Sequence, residues 1–96
     1  MSLKCTYRSE MGILSDILTV TREEGQNGII ISAISRKANL SHYAAVDKCN
    51  KLIEAELMKK TTDEKNRLFI LTEKGRSFFE ELERFQNLMK SLKLKY

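Results

Sequence analysis

Hydroxyl, imidazole, phenol and ammonium groups concentrate between residues 41 and 51 of this sequence. The ones that we assign to the exposed face of a predicted helix are Ser41, His42, Tyr43, Lys48 and Lys51. Polar groups near the start of such a helix could reach base edges, and lysines could pair with phosphates. The alternative is an ordinary solvated helix face. Asp47, on the same face, could accept a hydrogen bond from cytosine, repel phosphate, or pair with Lys51 one turn away.

Further cationic side chains lie outside this stretch and could also meet phosphates: Arg8, Arg36, Lys37, Lys65 and Arg67. The first precedes the first predicted helix, the next two lie on a short second helix, and the last two lie on a predicted hairpin. Such cations gain affinity for DNA because they release counterions from its backbone. Alternatively, Arg8 could simply pair with Glu10. Asp63 and Glu64 make the hairpin turn nearly neutral, so the hairpin could also be ordinary charged surface.

Residues suited to catalysis or metal binding are sparse. His42 is the single histidine, and the two cysteines, Cys5 and Cys49, lack CxxC or CxxH spacing. A glycine-rich phosphate loop is also missing. We therefore expect no enzyme activity, no metal and no cofactor, and no small-molecule ligand is evident from the sequence. Cys49 falls on an apolar helix face and is expected to be buried, and unpaired cysteines are typical of the cytoplasm.

Composition limits the protein to one domain, or to one domain with an extension. The chain has 96 residues, of which 42% are hydrophobic and 31% charged. Its formal net charge of +4 leans toward a polyanionic partner. No apolar run approaches the length of a membrane span, so we expect no membrane partner.

A turn at residues 38–41 links two predicted helices. Asn39 tolerates the left-handed conformation that ends a helix, Leu40 can enter the core, and Ser41 can N-cap the next helix. This turn joins a short helix, Ser32 to Ala38, to a longer one, Ser41 to about Glu56. The apolar arc of the longer helix comprises Ala45, Val46, Cys49, Leu52 and Ile53. The longer helix is then positioned like a recognition helix of a helix-turn-helix.

The remaining elements follow from periodicity and turn residues. A first helix is predicted from about Tyr7 to Arg22, and the β-branched residues 29–31 predict a short strand. Residues 57–62 and 67–71 flank a polar connection and predict a β-hairpin. Thr72 should cap a last helix that runs from Glu73 to about Lys93.

The last helix carries an apolar seam that repeats with alternating spacings of four and three residues: Phe78, Leu82, Phe85, Met89, Leu92 and Tyr96. Phe79 and Leu88 widen this seam. We expect Phe78, Phe79 and Leu82 to contribute to the core of the domain. The outer part needs an apolar partner, and a second copy of the chain would supply it; the alternative is that the helix folds back on its own domain. This predicts a DNA-binding domain at residues 1–75 and a dimerisation helix at 76–96.

The order of these elements resembles the winged helix-turn-helix. More narrowly, it resembles small archaeal winged-helix DNA-binding proteins that dimerise through a C-terminal antiparallel coiled coil. The residues that carry the resemblance are Tyr7-Arg8-Ser9, Asp16-Ile17-Leu18, Gly28, Ala38-Asn39-Leu40-Ser41, Leu52 with Leu57-Met58, and Leu71-Thr72-Glu73-Lys74-Gly75. Glu56 departs from the pattern, since a glycine often stands there. The implied fold is mainly α with a small β-hairpin wing and a long C-terminal coiled-coil helix.

The resemblance implies a homodimer that binds double-stranded DNA as a transcription regulator or a nucleoid-associated protein in the cytoplasm. Antiparallel pairing is implied by the resemblance alone. The competing interpretation is a winged-helix adaptor that binds another protein. Acidic residues on the recognition helix and the hairpin favour the adaptor: Asp47, Glu54, Asp63 and Glu64.

Overall fold

The computed structural model describes residues 9–94. Its helices are α1 (Glu10–Glu24), α2 (Ile31–Lys37), α3 (His42–Glu54) and α4 (Glu73–Ser91), with a 3-10 turn at Gly25–Asn27. Strands β1 (Met58–Thr62) and β2 (Arg67–Leu71) form an antiparallel hairpin between α3 and α4. A mainly α chain with one two-stranded hairpin is therefore confirmed. None of the described helices is long and apolar enough to cross a membrane.

The first helix begins later than its periodicity predicted. Ser9 is the N-cap, because its Oγ accepts a hydrogen bond from the N–H of Gly12 at 2.9 Å. The helix then continues two residues past the predicted end at Arg22. Gly25, with a φ of 58°, ends it, since glycine adopts this left-handed conformation without steric cost.

The predicted strand at residues 29–31 is wrong. Only Ile29 pairs with a strand: it exchanges two backbone hydrogen bonds with Phe69, at 3.0 and 2.9 Å. Ile30 is the N-cap of α2, and Ile31 is its first residue, so Ser32 lies inside the helix rather than at its cap. Of the three isoleucines, only Ile29 pairs with β2, because the chain enters α2 immediately afterwards.

The turn between α2 and α3 is built as the sequence predicts. Asn39 has a φ of 58°, and Leu40 packs against the core. The Oγ of Ser41 accepts a hydrogen bond from the N–H of Ala44 at 3.0 Å and so caps α3. This helix ends at Glu54, short of the predicted Glu56, because Glu56 is left-handed with a φ of 65°.

Helix α4 is anchored at its start by a close crossing with the end of α3. The Thr72 Oγ accepts a hydrogen bond from the N–H of Gly75 at 2.8 Å and donates one to the carbonyl oxygen of Glu56 at 2.7 Å. Gly75 lies so close to Leu57 that a Cβ there would overlap the carbonyl oxygen of Leu57. The glycine therefore lets α4 cross the backbone that leads from α3 into the hairpin.

One hydrophobic core holds these elements together. Its fully or almost fully buried members come from all four helices and both strands: Ile17, Leu18, Ile34, Ala45, Cys49, Leu52, Met58, Phe69, Leu71, Phe79 and Leu82. The expectation that Cys49 is buried is confirmed. Burial raises the pKa of its thiol to about 11, because an apolar environment disfavours the thiolate.

Candidate nucleic-acid interface

Helix α3 rests on the core along one side and leaves the others accessible. Ala45, Cys49 and Leu52 form the buried side. Tyr43, which is 80% exposed, lies on the opposite side with Glu54. Because the side chains of a helix point outward all around its axis, two flanks remain between these sides, one next to the hairpin and one next to α1. The two flanks differ in charge and in partners.

The flank next to the hairpin forms a cleft of about 200 Å³. On α3 it is lined by His42, Val46 and Asn50, which are spaced one turn apart and are called the cleft row below. The expectation that Val46 points into the core is wrong, since it is 36% exposed. Ile31 and Phe69 line the rest of the cleft together with two cations of the hairpin.

Those two cations are Lys60 and Arg67. The register of the hairpin explains their position. Lys60 lies opposite Phe69, and Arg67 lies opposite Thr62. Because alternate residues of a strand share a face, both cations lie on the same face of the hairpin as the buried Met58. That face is turned toward α3. Neither cation makes an ion pair within residues 9–94. The rim of the cleft is therefore cationic.

The flank next to α1 is electrically neutralised. Lys51 Nζ donates a hydrogen bond to Glu10 Oε2 at 3.1 Å, and Lys48 Nζ lies 3.7 Å from Glu10 Oε1. The hydrogen bond from Lys51 and the charge of Lys48 lower the pKa of Glu10, and Glu10 raises the pKa of Lys51. Lys48 also lies 3.9 Å from the carboxylate of Asp47. Both lysines thus share one carboxylate at the start of α1.

The other predicted contact residues lie around this surface. Arg36 and Lys37 lie in the last turn of α2, where Lys37 pairs with Glu24 at 3.5 Å. Lys65 lies in the hairpin turn, which Asp63 organises by accepting hydrogen bonds from the N–H groups of Asn66 and Lys65 at 2.8 and 3.0 Å. These two bonds lower the pKa of Asp63.

Two residues of the predicted interfaces, Arg8 and Tyr96, lie outside the described residues, as does Cys5. Within residues 9–94, no group of three or more His, Cys, Asp or Glu side chains is arranged to hold a metal ion. Sequence reasoning did not select Val46, Asn50 or Lys60 as site residues. Two features of the sequence could have identified them. Val46 and Asn50 follow His42 at intervals of four residues, and the register of the hairpin places Lys60 on the same face as Arg67.

Helix α4 has two apolar sides. Phe79 and Leu82 face the core, and Gln86 Nε2 donates a hydrogen bond to the Oγ of the buried Ser15 on α1 at 3.0 Å. Phe78, predicted to join the core, is exposed. The exposed members of the second side, called the α4 stripe below, are Phe78, Phe85, Leu88 and Leu92, with Met89 half-buried beside them. Leu82, placed in the predicted seam, lies in the core of its own chain.

A family model described as winged helix-turn-helix matches residues 7–90 of this chain. No curated protein sequence matches it significantly.

Several solved structures share the fold. Sso10a-2, a DNA-binding protein from Sulfolobus solfataricus, is 21% identical, with a TM-score of 0.72 over 88% of this chain and 85% of that one. AF1382 from Archaeoglobus fulgidus is 22% identical, with a TM-score of 0.69 over 91% and 94%. A MepR mutant from S. aureus bound to an oligodeoxyribonucleotide is 13% identical, with a TM-score of 0.68 over 86% and 64%. The present chain thus spans less than two thirds of that MepR chain.

Proposed function

The chain belongs to the winged helix-turn-helix family, and from this premise we propose that it binds double-stranded DNA as a homodimer. Its role is that of a transcription regulator or a nucleoid-associated protein. Each protomer inserts α3 into a major groove, and the hairpin lies beside the groove as the wing. The dimer sets the distance between the two half-sites.

One observation carries the proposal: an exposed row of α3 faces two cations of the hairpin that have no ion-pair partner within residues 9–94. Lys60 and Arg67 line the same cleft as His42, Val46 and Asn50. A duplex whose major groove receives α3 along the rim of this cleft presents base edges to the row and phosphates to the two cations. Among proteins of similar fold, Sso10a-2 is described as DNA-binding, and a MepR mutant was solved with an oligodeoxyribonucleotide.

We assign the remaining predicted contact residues to the same interface. Tyr43 is highly exposed near the start of α3, where its phenol is free to reach the groove. The Ser41 hydroxyl already caps α3, so Ser41 contributes mainly by orienting the helix. The cations proposed to contact flanking phosphates are Arg8, Arg36, Lys37, Lys48, Lys51, Lys65 and Arg67.

Dimerisation is proposed to use the α4 stripe. Helix α4 is 19 residues long, or about 28 Å, and Gln86 in its second half is bonded to Ser15 of α1. In the last two turns of the helix, Leu88 and Leu92 are 55% and 59% exposed. Large exposed apolar side chains in one stripe favour association with a partner surface of the same kind. We retain residues 76–96 as the dimerisation segment, although α4 itself begins at Glu73.

Fluorescence anisotropy of a labelled random duplex of about 30 base pairs, titrated at several salt concentrations, tests the proposal. We expect binding whose logarithm falls linearly with the logarithm of salt concentration. The slope counts the phosphates engaged. Absence of binding at low salt, both for random duplexes and after selection of sequences from a random pool, would refute the proposal.

A second function, an adaptor that binds another protein, is favoured by one specific observation. Glu10 pairs with the ammonium groups of both Lys48 and Lys51, which weakens the attraction of that flank of α3 for phosphate. Exposed Glu54 adds a further negative charge on the same helix. Replacing Lys60 and Arg67 with glutamine should weaken DNA binding if the chain binds DNA as proposed. If the chain is an adaptor, neither the wild type nor these variants should bind DNA.

A further inference from the structure

The row of α3 that lines the cleft carries no carboxylate, unlike the outward side of the helix. The outward side carries Tyr43, Asp47 and Glu54, and therefore two negative charges that repel a phosphate backbone. The cleft row of His42, Val46 and Asn50 carries none, and Lys60 and Arg67 stand at its rim. A duplex consequently approaches α3 with less repulsion from the cleft side than from the outward side.

Two members of the cleft row remain without an evident structural role. Val46 is an apolar side chain that is one-third exposed although it lies beside a buried core position, Ala45. Asn50 is exposed, and its amide makes no hydrogen bond to any residue from 9 to 94. Both side chains are accessible and line the cleft.

The chemistry of these two side chains matches one kind of base pair. An asparagine amide can donate to adenine N7 and accept from the adenine N6 amino group at the same time, and an apolar side chain can contact the thymine methyl group. Residues one helical turn apart have Cβ atoms about 5–6 Å apart. Stacked base pairs are spaced by about 3.4 Å, so both side chains lie within reach of neighbouring pairs.

We propose that Val46 and Asn50 read neighbouring A·T pairs in the major groove, Val46 through a thymine methyl group and Asn50 through the Hoogsteen edge of adenine. This inference rests on the proposed DNA binding and deepens it by naming the sequence that α3 prefers. Lys60 and Arg67 pair with phosphates on the strand next to the wing. The roll of α3 about its axis thereby turns the cleft row, rather than Asp47 and Glu54, toward the bases.

Selection of duplexes from a random pool by the full chain provides the first test. Enriched half-sites are expected to contain neighbouring A·T pairs. Enriched half-sites built from G·C pairs alone would overturn the inference while leaving DNA binding intact. If no duplex is retained even at low salt, the proposed function itself fails, which is a different and recognisable result.

Base analogues in the enriched duplex then assign each contact. Uracil in place of thymine removes only the C5 methyl group and should weaken wild-type binding by about three- to tenfold, but should weaken Val46→Ser binding much less, because serine presents a hydroxyl rather than an apolar surface to the methyl group. In the same way, 7-deazaadenine removes N7 and should weaken wild-type binding by roughly five- to a hundredfold, but should not affect Asn50→Ala.

Asn87→Ala, an exposed substitution on α4, is the matched control and should respond to both analogues as the wild type does. Equal wild-type affinity for the thymine and uracil duplexes would overturn the role of Val46. Equal affinity for adenine and 7-deazaadenine would overturn that of Asn50. Circular dichroism of each variant confirms that its fold is retained.

Discussion

Replacing Glu10 with glutamine should tighten DNA binding. Glu10 accepts a hydrogen bond from Lys51 at 3.1 Å and lies 3.7 Å from Lys48 Nζ. A phosphate that pairs with either lysine must approach next to this carboxylate, and the two negative charges repel each other. Glutamine keeps the length of the side chain and removes its charge. The two ammonium groups then become available to phosphate without that repulsion.

The size of the effect follows from the number of charges involved. Each phosphate neutralised contributes about 0.9 to the slope of log K against log salt concentration. One carboxylate offsets one of the two lysines, so the substitution should steepen the slope by up to about 0.9. Exposed ion pairs are individually weak, and the affinity gain at low salt should therefore be only about two- to tenfold.

The same substitution has a pH signature in protein stability. The pKa of Glu10 is lowered in the folded chain by Lys51 and Lys48, so its contribution is present above the unfolded pKa of about 4.3 and is lost as pH falls through the folded value. The pKa of Lys51 is raised, so its contribution is present below about pH 10.4 and is lost as pH rises through its folded value. The difference in urea midpoint between wild type and Glu10→Gln should stay constant from about pH 5.5 to 9.5. It should disappear as the pH falls through the lowered folded-state pKa of Glu10.

Glu23→Gln is the matched control. It makes the same change in net charge at an exposed position of the same helix, about 20 Å from Glu10 along the axis. If both variants increase affinity equally, net charge alone accounts for the change and the local reasoning is refuted. If Glu10→Gln weakens binding, the carboxylate orients the lysines for DNA rather than competing with it.

Three further predictions concern stability, assembly and thiol chemistry. Gly75→Ala should lower the free energy of unfolding by about 2 kcal/mol or more in urea titrations, because its Cβ would overlap the carbonyl oxygen of Leu57; an unchanged midpoint would contradict that crossing. Leu88→Glu combined with Leu92→Glu should convert a dimer into a folded monomer by analytical ultracentrifugation, whereas a wild-type chain that sediments as a monomer would refute the stripe. In a variant whose other cysteine is serine, Cys49 should react with a thiol reagent at pH 8 only on unfolding, because burial raises its pKa to about 11; rapid native-state labelling would contradict this.

Local signals predicted the helix boundaries that side-chain caps define. Ser41 and Thr72 cap α3 and α4 as expected. Each hydroxyl accepts a hydrogen bond from the backbone N–H of the residue three positions later. Asn39 takes the left-handed conformation for which its type was singled out. Glu56 also does so, which explains why the resembling proteins often have glycine there. The glutamate retains the turn at a modest steric cost.

Features that depend on residues distant in the sequence could not be predicted from local sequence patterns. The β-branched run at residues 29–31 favours a strand by propensity, but strand formation needs a partner, and β2 supplies only one bridge, at Ile29. Val46 falls at the edge of the apolar arc of α3, and only the position of the hairpin decides that it lines a cleft. Lys51 and Glu10 are 41 positions apart in the sequence, so no local pattern predicts that they pair.

The arrangement of charge bears on the choice between a regulator and a protein that coats DNA. Phosphate contacts contribute to affinity for every sequence, whereas base contacts contribute only at a matched site. On α3, Lys48 and Lys51 could attract the phosphates of any sequence, but both are paired with Glu10. The cleft row makes no ion pair within the described chain. If the chain binds DNA as proposed, this division should lower its affinity for random DNA without reducing what Val46 and Asn50 gain from bases. Despite the net charge of +4, we therefore expect selective binding, as a transcription regulator requires, rather than uniform coating.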